Sequence, residues 1–308
     1  MYKIFIDGSE GTTGLQLQAR LSLRKDIELL HIEEELHRDP ARRKELMAQA
    51  DIVFLCLPDA AAIEAVELCD ENTVIIDAST AHRVAEGWTY GLPELSALQR
   101  SKIAESKRIA NPGCYATGAI CILAPLVECG ILPADYPVTI NAISGYSGGG
   151  KKMIAAYEAE NRDDKFQYSR AYGLSLHHKH LPEITKISGL KRSPVFLPQV
   201  CNFYKGMAVS VPLYCSMLNG AVGTADVYNA LSKHYEGQTF INVEYAPESG
   251  FINSGKNSGT NMLTIYVCGN NDQLVLTSIL DNLGKGASGA AMQNMNIALG
   301  LDEAAYLL

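Results

Sequence analysis

The sharpest chemical feature of the sequence is Cys114, in the stretch Ala-Asn-Pro-Gly-Cys-Tyr-Ala-Thr-Gly at residues 110–118. Pro112 and Gly113 predict a turn, and residues 115–127 are rich in Ala, Ile and Leu and predict a helix. The backbone N–H groups and dipole at a helix N-terminus stabilise a thiolate, and the same N–H groups can hold a carbonyl oxyanion. The pattern predicts a nucleophilic cysteine; the alternative is a buried structural cysteine after a turn.

Histidines cluster at one place, His-His-Lys-His-Leu-Pro-Glu at residues 177–183. A thiolate enzyme needs a group that titrates near neutrality to move protons onto an aldehyde oxygen or off the thiol. His180 opens a predicted helix over residues 180–188, and Glu183 is placed to orient an imidazole. Zinc would need a second ligand set at suitable spacing, which is absent, so no metal is predicted. A run of helix-capping or exposed histidines remains the structural alternative.

Three glycines, Gly8, Gly11 and Gly14, lie between a predicted strand at residues 3–7 and a predicted helix at residues 15–23. Glycines there allow a sharp turn and close approach to a pyrophosphate, while the helix N-terminus supplies N–H donors. This context predicts a dinucleotide site rather than a tight turn without a ligand.

The second predicted strand, residues 28–32, is followed by three glutamates at 33–35 and by His37 and Arg38. An acidic residue at this position favours a free ribose 2′-hydroxyl, whereas arginine favours a 2′-phosphate. The residues therefore leave NAD and NADP open, and the alternative is that these are the charges of an exposed loop.

A second glycine-rich loop, Gly-Tyr-Ser-Gly-Gly-Gly-Lys at residues 145–151, matches the first part of a phosphate-binding P-loop. Lys152 follows where that motif needs Ser or Thr for Mg²⁺, which argues against a nucleoside triphosphatase. Glycine N–H groups and Lys151 near a helix start can still bind an anion. We interpret the loop as a contact to a substrate phosphate or carboxylate, with a plain connecting loop as the alternative.

The order of elements predicts an α/β protein of two domains. Apolar runs at 51–57 and 73–78, separated by a helical stretch at 60–69, indicate a doubly wound parallel sheet. The strands predicted beyond about residue 135 indicate an α+β domain with a mixed sheet; they cover 138–144, 195–203, 207–215, 241–245, 262–269 and 274–280. Gly269–Asp272 is predicted to be a hairpin turn between the last two. Helices are predicted at 152–161, 224–235 and 285–298. The predicted domains are residues 1–113 for nucleotide and 114–284 for catalysis and oligomerisation, with segment 285–308 returning to the first.

Composition sets the broad class. The net charge is −8 with Lys and Arg scattered, so no basic face for nucleic acid is indicated. The N-terminal apolar run ends at Asp7, no apolar stretch approaches the roughly 20 residues of a membrane span, and a cytoplasmic enzyme is expected. The eight cysteines form no CxxC and fit reduced apolar positions, Cys114 excepted.

With these features identified, the whole chain resembles the short form of the N-acetyl-γ-glutamyl-phosphate reductase family. Residues 111–118 resemble the family's active-site cysteine segment, 178–183 its His-x-His-x-Pro-Glu segment and 144–151 its Ser-Gly-x-Ser-Gly loop. Residues 77–83, Asp-Ala-Ser-Thr-Ala-His-Arg, resemble the loop that faces the nicotinamide. Segments 90–94, 259–261, 282–289 and 293–296 also resemble the group, which includes aspartate-semialdehyde and glyceraldehyde-3-phosphate dehydrogenases.

The resemblance implies reduction of N-acetylglutamyl 5-phosphate to N-acetylglutamate 5-semialdehyde in arginine biosynthesis, by NADPH through a thioester on Cys114, in a homodimer or homotetramer. His180 or His178 would be the proton donor, with Glu183 as a further catalytic residue. The implied cofactor residues are Gly8, Gly11, Thr12, Thr13, Gly14, Arg38, Ser79, Thr80 and Asn261. The implied substrate residues are Arg83, Asn111, Ser147, Gly148 and Lys151. The acidic run at 33–35 departs from the family's NADP preference.

Three alternatives stay open on the sequence. Aspartate-semialdehyde dehydrogenase has the same chemistry on another acyl phosphate. A lysine or arginine pathway reductase whose substrate amine is held on a carrier protein is a second. A nucleotide sensor without catalysis would need the glycine-rich turn but no reactive thiol.

Overall fold

The computed structural model describes all residues, Met1–Leu308, and they form two compact units. The first unit comprises Met1–Gly113 and Ala287–Leu308, and the second comprises Cys114–Gly286. No helix is both long enough and apolar enough to cross a membrane.

The first unit is built on a six-stranded sheet in which every pair of neighbours is parallel, in the order β2-β1-β3-β4-β6-β5. Its strands are β1 Tyr2–Asp7, β2 Ile27–Leu30, β3 Ile52–Leu55, β4 Val74–Asp77, β5 Thr89–Tyr90 and β6 Arg108–Ala110. Its helices are α1 Thr12–Leu21, α2 Pro40–Gln49, α3 Asp59–Leu68, α4 Ala97–Glu105 and α9 Gly289–Ala298. Strands β3 and β4 are buried along their whole length, as a parallel sheet covered on both faces requires.

Helix α1 differs from its sequence prediction at both ends. It begins at Thr12 and ends at Leu21, and its buried positions are Gly14, Leu17 and Leu21. Leu15 and Leu23, the two ends of the predicted helix, are 45% and 74% exposed. The spacing of 14, 17 and 21 is the three- and four-residue repeat of a single helix face, and position 15 lies off that face.

The second unit is built on a mixed seven-stranded sheet in the order β11-β12-β13-β10-β7-β9-β8, which confirms the predicted fold class. Neighbours β7/β9 and β11/β12 are parallel and the other pairs antiparallel. The strands are β7 Thr139–Gly145, β8 Arg170–Ala171, β9 Val195–Cys201, β10 Met207–Tyr214, β11 Ile241–Tyr245, β12 Leu263–Gly269 and β13 Gln273–Leu280. The helices are α5 Cys114–Glu128, α6 Gly150–Glu158, α7 Leu181–Ile187 and α8 Thr224–His234.

Helix α5 packs directly on one face of this sheet. A β-carbon at Gly118 would lie 2.6 Å from Oγ of Ser278 and 2.8 Å from Cγ2 of Val209, so only glycine allows the observed approach. Ser278 also donates a hydrogen bond to the Gly118 carbonyl at 3.0 Å. The helix that begins with Cys114 is therefore fixed against β10 and β13.

The sheet's other face is partly uncovered. Val195, Leu197, Pro212, Tyr214 and Val275 are exposed there, with Val195, Leu197, Tyr214 and Val275 between 37% and 56% exposed. The strand register places them on one face, since Pro212 pairs with Val275 and Leu197 pairs with Asn141, which pairs with Ser210. The second unit thus presents an open sheet surface with several exposed apolar side chains.

The C-terminal helix begins later than the sequence pattern predicts. Residues Gly284–Ser288 form a turn of π-helix, and the α-helical part runs over Gly289–Ala298 rather than from residue 285. The carboxylate of Asp281 accepts hydrogen bonds from the N–H groups of Leu283 and Gly284, and the Gly286 N–H donates to the Asp281 carbonyl at 2.9 Å. That last bond spans five residues and produces the wider turn.

Candidate active site

Cys114 is the first residue of α5, a helix of 15 residues, as the sequence pattern predicted. The main chain around it is tightly packed within the second unit. A β-carbon at Gly286 would lie 2.7 Å from Cβ of Cys114. The π-helical turn therefore packs against Cβ of Cys114. The N–H groups of the first turn of α5 point out of the N-terminal end of the helix.

A cavity of about 250 Å³ adjoins Cys114. Its chemically active side chains are Cys114, Tyr115, Ser144, Tyr172, His178 and Lys179. The rest of its wall is Gly145, Gly148, Gly149, Met153 and Val200, and no Asp or Glu contributes to it. The cavity therefore combines a thiol, hydroxyls, an imidazole and an ammonium group, and offers no fixed negative charge to a ligand.

Two tyrosines form a hydrogen-bonded pair beside the thiol. The Tyr172 hydroxyl donates to the Tyr115 hydroxyl at 3.2 Å, and the latter donates to the Gln199 carbonyl at 3.3 Å. Burial raises the pKa of Tyr172 to about 12. Burial also raises the pKa of Tyr115, with Tyr172 and Cys114 adding to the effect. Both phenols are therefore neutral donors at physiological pH and bring no charge near the Cys114 side chain. Neither tyrosine is among the predicted site residues: Tyr115 directly follows Cys114 and Tyr172 lies in a loop, and neither position has a sequence pattern of its own.

The turn before α7 brings the two predicted histidines together. Their rings are 4.8 Å apart, and each lies about 6 Å from the Tyr115 ring. The His180 N–H donates to Nδ1 of His178 at 3.2 Å, so a neutral His178 carries its proton on Nε2. His178 is half-buried and lines the cavity, whereas His180 is 5% exposed at the N-cap of α7.

Glu183 and Asn261, two further predicted site residues, are both buried in the second unit. Glu183 is on the first turn of α7 and is 1% exposed. Asn261 is fully buried two residues before β12. Neither is among the residues that line the cavity beside Cys114.

The glycine-rich loop after β7 is joined to a second loop along its length. N–H groups of Gly145, Tyr146 and Ser147 donate to main-chain carbonyls at residues 203–206. Asn282 then fixes the pair, because its side chain accepts from the Gly206 N–H at 2.9 Å and donates to Oγ of Ser147 at 2.9 Å. Ser147 is 1% exposed and acts in holding the loop, while Gly148 lines the cavity.

One lysine lies in the cavity wall, and it is Lys179 rather than the predicted substrate residue Lys151. Lys151 is exposed on the first turn of α6 and is not part of the cavity wall. Lys179, between the two histidines, is part of that wall. The turn that carries His178 closes with a hydrogen bond from the Leu181 N–H to the His178 carbonyl at 3.0 Å, and this turn positions Lys179.

In the first unit, the turn between β1 and α1 has the geometry of a phosphate-binding loop. Gly8 has φ +83°, and a β-carbon there would lie 2.5 Å from the Cys56 carbonyl oxygen. Helix α1 begins after Gly11 with no side-chain cap, at Thr12 and Thr13. The Thr12 hydroxyl is buried and makes no hydrogen bond within the protein. Uncapped N–H groups and an available hydroxyl are donors that suit a pyrophosphate.

Two arginines of α2 form ion pairs beside the loop that follows β2. Arg42 binds both oxygens of the Glu33 carboxylate at 3.0 Å, and Arg43 contacts Asp7 at the end of β1 at 2.6 Å. Arg38 is exposed in the turn before α2. A cavity of about 220 Å³ lies alongside, lined in part by Ser9, Glu10, Gln18, His31 and His37.

The loop after β4 is ordered by one buried carboxylate. Asp77 accepts from the Ser79 hydroxyl at 2.6 Å and lies 2.7 Å from Nδ1 of His82. The His82 ring stacks on Trp88 with centroids 4.0 Å apart. Thr80 donates from its N–H and its hydroxyl to Asp59, the first residue of α3. Ser79 and Thr80 thus lie at the carboxyl end of the parallel sheet, where nucleotides bind in such folds.

Arg83 and Asn111 are buried and form hydrogen bonds within the first unit. Arg83 is 8% exposed and donates to the carbonyls of Ala78 at 3.0 Å and Asn111 at 3.1 Å. Asn111 is 1% exposed, and its side chain donates to the Ala287 carbonyl at 3.0 Å and accepts from Asn294 at 3.2 Å. Both residues hold the ends of β4, β6 and α9 together.

No group of three or more His, Cys, Asp or Glu side chains has the arrangement of a metal site, and none of the eight cysteines forms a disulfide.

The two units match two domains of one protein family. A semialdehyde dehydrogenase NAD-binding domain matches residues 3–105, and a semialdehyde dehydrogenase dimerisation domain matches residues 114–282. The first unit is accordingly an NAD(P)-binding domain.

Solved structures agree on the fold. Aspartate semialdehyde dehydrogenase from Francisella tularensis superposes with a TM-score of 0.72 at 14% identity, covering 96% of this chain and 99% of that one. The Candida albicans enzyme with NADP gives 0.68 at 14% identity, covering 97% and 99%. At such identity these structures show the fold alone.

Sequence relatives are far more similar. N-acetyl-γ-glutamyl-phosphate reductases from Brucella ovis and Brucella suis are each 48% identical over 306 residues, covering 97% of this chain and 99% of theirs. The chain therefore belongs to the N-acetyl-γ-glutamyl-phosphate reductase family, within the semialdehyde dehydrogenases.

Proposed function

We propose that this protein reduces N-acetylglutamyl 5-phosphate to N-acetylglutamate 5-semialdehyde and phosphate, a step of arginine biosynthesis, with Cys114 as the nucleophile and NADPH as the reductant. The observation that carries the proposal is the placement of Cys114. It is the first residue of a 15-residue helix and it lines a cavity that holds an imidazole and an ammonium group but no carboxylate.

Acyl transfer to Cys114 is the first step. The thiolate sulfur bonds to the acyl carbon, the C–O bond to the phosphoryl group breaks, and phosphate leaves with the bonding pair. N–H groups at the start of α5 are donors for the oxygen that becomes negative in the tetrahedral intermediate. The product is a thioester on Cys114, which divides one difficult reduction into two easier steps.

The His178–His180 pair supplies the proton that the second step needs. Once the thioester carbon has gained a hydride, its oxygen takes a proton from the imidazole to give a thiohemiacetal. When the C–S bond breaks, that proton returns to the imidazole, and the aldehyde and the Cys114 thiolate are formed. His178 lines the cavity, and its Nδ1 already accepts the His180 N–H, which leaves Nε2–H as its donor in the neutral ring. His180, buried beside it at the N-cap of α7, is the second candidate for the donor.

The residues of the first unit fit a nicotinamide dinucleotide. Gly8 has a positive φ and makes a tight turn against the Cys56 carbonyl, α1 has no side-chain cap, and the buried Thr12 hydroxyl can bond to a phosphate oxygen. When bound, the nicotinamide supplies the hydride. Gly11, Gly14 and Thr13 complete the phosphate loop, Ser79 and Thr80 border the nicotinamide end, and Asn261 is proposed as a further cofactor residue.

NADP is favoured over NAD by the charges after β2. The Glu33 carboxylate, which would suit a free 2′-hydroxyl, is occupied by Arg42, while Arg38 is exposed. A guanidinium in that position suits a 2′-phosphate.

The open sheet face of the second unit is the proposed contact between two copies of the chain. The matching domain is a dimerisation domain, and the uncovered face carries Val195, Leu197, Pro212, Tyr214 and Val275. An apolar sheet surface of this kind is characteristic of a protein interface.

The test is the reverse reaction: phosphate-dependent reduction of NADP with N-acetylglutamate 5-semialdehyde, compared with aspartate semialdehyde. We expect turnover with the acetylated aldehyde and loss of nearly all of it in Cys114→Ser, with NADPH binding retained. Turnover with only the aspartyl compound would reject the proposed substrate, and a Cys114→Ser variant as active as the wild type would reject the covalent route.

A further inference from the structure

We infer that Lys179 is the residue that recognises negative charge on the substrate; this inference rests on the proposed function and refines it. The proposed acyl phosphate carries two oxyanionic groups, a carboxylate and a phosphoryl group, and the aldehyde product keeps the carboxylate. A cavity that receives such a molecule needs at least one positive group.

Lys179 is the one lysine or arginine in the wall of the cavity beside Cys114. No carboxylate shares that wall, so nothing within it neutralises the ammonium group. Every other charged or polar group there is a phenol, a hydroxyl, a thiol or the imidazole of His178. The phenols of Tyr115 and Tyr172 have raised pKa values and stay neutral, so they do not compete for the cation.

Lys179 lies next to the groups proposed to transfer the proton, so the residue that binds the substrate and those that react with it share one turn. It lies between the histidines proposed to move the proton, in a turn closed by the Leu181 N–H and the His178 carbonyl at 3.0 Å. A substrate oxyanion held by Lys179 is therefore held against the same turn that presents His178. Lys179 itself is exposed, which leaves its ammonium group hydrated until a ligand binds.

The lysines of α6 do not have this placement. Lys151 and Lys152 are both exposed on the first turn of that helix, and neither is part of the cavity wall. Lys152→Met is therefore a matched control, because it removes an equal charge from the same unit.

The experiment is steady-state kinetics of the reverse reaction with wild type, Lys179→Met, Lys179→Arg and Lys152→Met. We expect Lys179→Met to raise KM for either the semialdehyde or phosphate by about 10- to 100-fold, the range of a lost charge-assisted hydrogen bond. KM for NADP should stay at the wild-type value. Lys179→Arg should recover most of the loss, and Lys152→Met should behave as the wild type.

Two measurements show whether Lys179 binds the carboxylate or the phosphoryl group: which of the two KM values changes, and the activity on an aldehyde that lacks the carboxylate. If Lys179 holds the carboxylate, KM for the semialdehyde rises, and 4-acetamidobutanal, which is the same aldehyde without the carboxylate, is used equally by wild type and Lys179→Met. If Lys179 holds the phosphoryl group, KM for phosphate rises with both aldehydes. Active Lys179→Met with both KM values unchanged would overturn the inference alone, whereas a wild type inactive on the acetylated aldehyde would reject the proposed function and this inference with it.

Discussion

The α-carbon of Gly286 lies directly against Cys114: a β-carbon built at position 286 would be 2.7 Å from Cβ of Cys114 and 3.2 Å from its Cα. Real β-carbons do not approach main-chain and Cβ atoms this closely, so any side chain at 286 must displace one of the two segments. The π-helical turn Gly284–Ser288 and the nucleophile thus share one packing contact.

Gly286→Ala should therefore lower turnover without preventing folding. A shift of the order of 1 Å in a reacting group costs about 100-fold in rate, so we expect a loss of that size in kcat, with NADPH affinity unchanged. The matched control is Gly255→Ala, whose new β-carbon would meet only side-chain atoms, Oδ1 of Asn253 at 3.3 Å and Oγ of Ser258 at 3.9 Å. Equal activity of the two variants would show that the Gly286 contact does not position Cys114.

Alkylation should single out Cys114 among the thiols. Burial, aided by Asp77 and Asp7, raises the pKa of Cys56 to about 12, and burial raises that of Cys69 to about 11. Because both pKa values are raised, these thiols stay protonated as pH increases until it approaches those values. At pH 8 their thiolate fractions are roughly 1 in 10,000 and 1 in 1,000, and each rises about tenfold per pH unit.

We expect iodoacetamide at pH 8 to label Cys114 first, then the exposed thiol of Cys129, which is the internal reference. Peptide mass spectrometry against time measures the order. A Cys114 labelled no faster than Cys129 would favour a nucleotide sensor without catalysis over the proposed enzyme.

The two histidines should have different kinetic signatures. His178→Asn removes a ring that lines the cavity, so we expect kcat to fall by about 100-fold or more and KM for the aldehyde to rise. His180→Asn removes a ring that is 5% exposed, so kcat should fall while KM changes little. NADPH binding serves as the folding control for both. The proton donor is the histidine whose replacement also removes one of the ionisations from the pH profile of kcat. An unchanged kcat in both variants would show that neither histidine takes part in the reaction.

Arg38→Ala should discriminate between the two cofactors. If Arg38 pairs with a 2′-phosphate, KM for NADPH should rise by about tenfold or more while KM for NADH stays constant. Lys44→Ala, at an exposed position on neighbouring α2, is the charge control. Parallel changes for both cofactors would assign Arg38 a structural role instead.

Leu197→Asp should weaken the proposed dimer, in which the open sheet faces of two copies of the chain are in contact. Leu197 is 37% exposed on the open sheet face, and a buried unpaired carboxylate in a dimer contact would weaken association by about 100-fold or more. Sedimentation velocity over a range of concentrations measures the effect. Leu98→Asp, on α4 and 65% exposed, places the same charge elsewhere and should leave the assembly intact.

Long apolar runs and strong local patterns were sufficient to predict most elements. Strands β3 and β4 are buried throughout, and the sequence shows them as continuous apolar runs. The position of Cys114 at the start of α5 followed from the turn residues Pro112 and Gly113 together with the Ala-, Ile- and Leu-rich run at 115–127. The two-residue strands β5 and β8 had no comparable signal, because two residues show no period and depend on their partners in the sheet.

Side-chain placement at the site was harder to predict than the elements. Lys151 and Lys179 both adjoin recognisable motifs, and only the three-dimensional course of the turn before α7 places the second in the cavity wall. Similarly, Tyr172 lies 57 residues from Tyr115, with which it forms a hydrogen bond. Contacts between distant segments depend on tertiary packing, and a single sequence holds no local trace of them.

The stack of His82 on Trp88 has a practical consequence. Trp88 is the one tryptophan of the chain, and it lies in the unit formed by Met1–Gly113 and Ala287–Leu308. Indole emission therefore reports on that unit alone, while circular dichroism reports on helices and strands of both. Denaturation followed by the two signals would show whether the units unfold together or one after the other, with no added label.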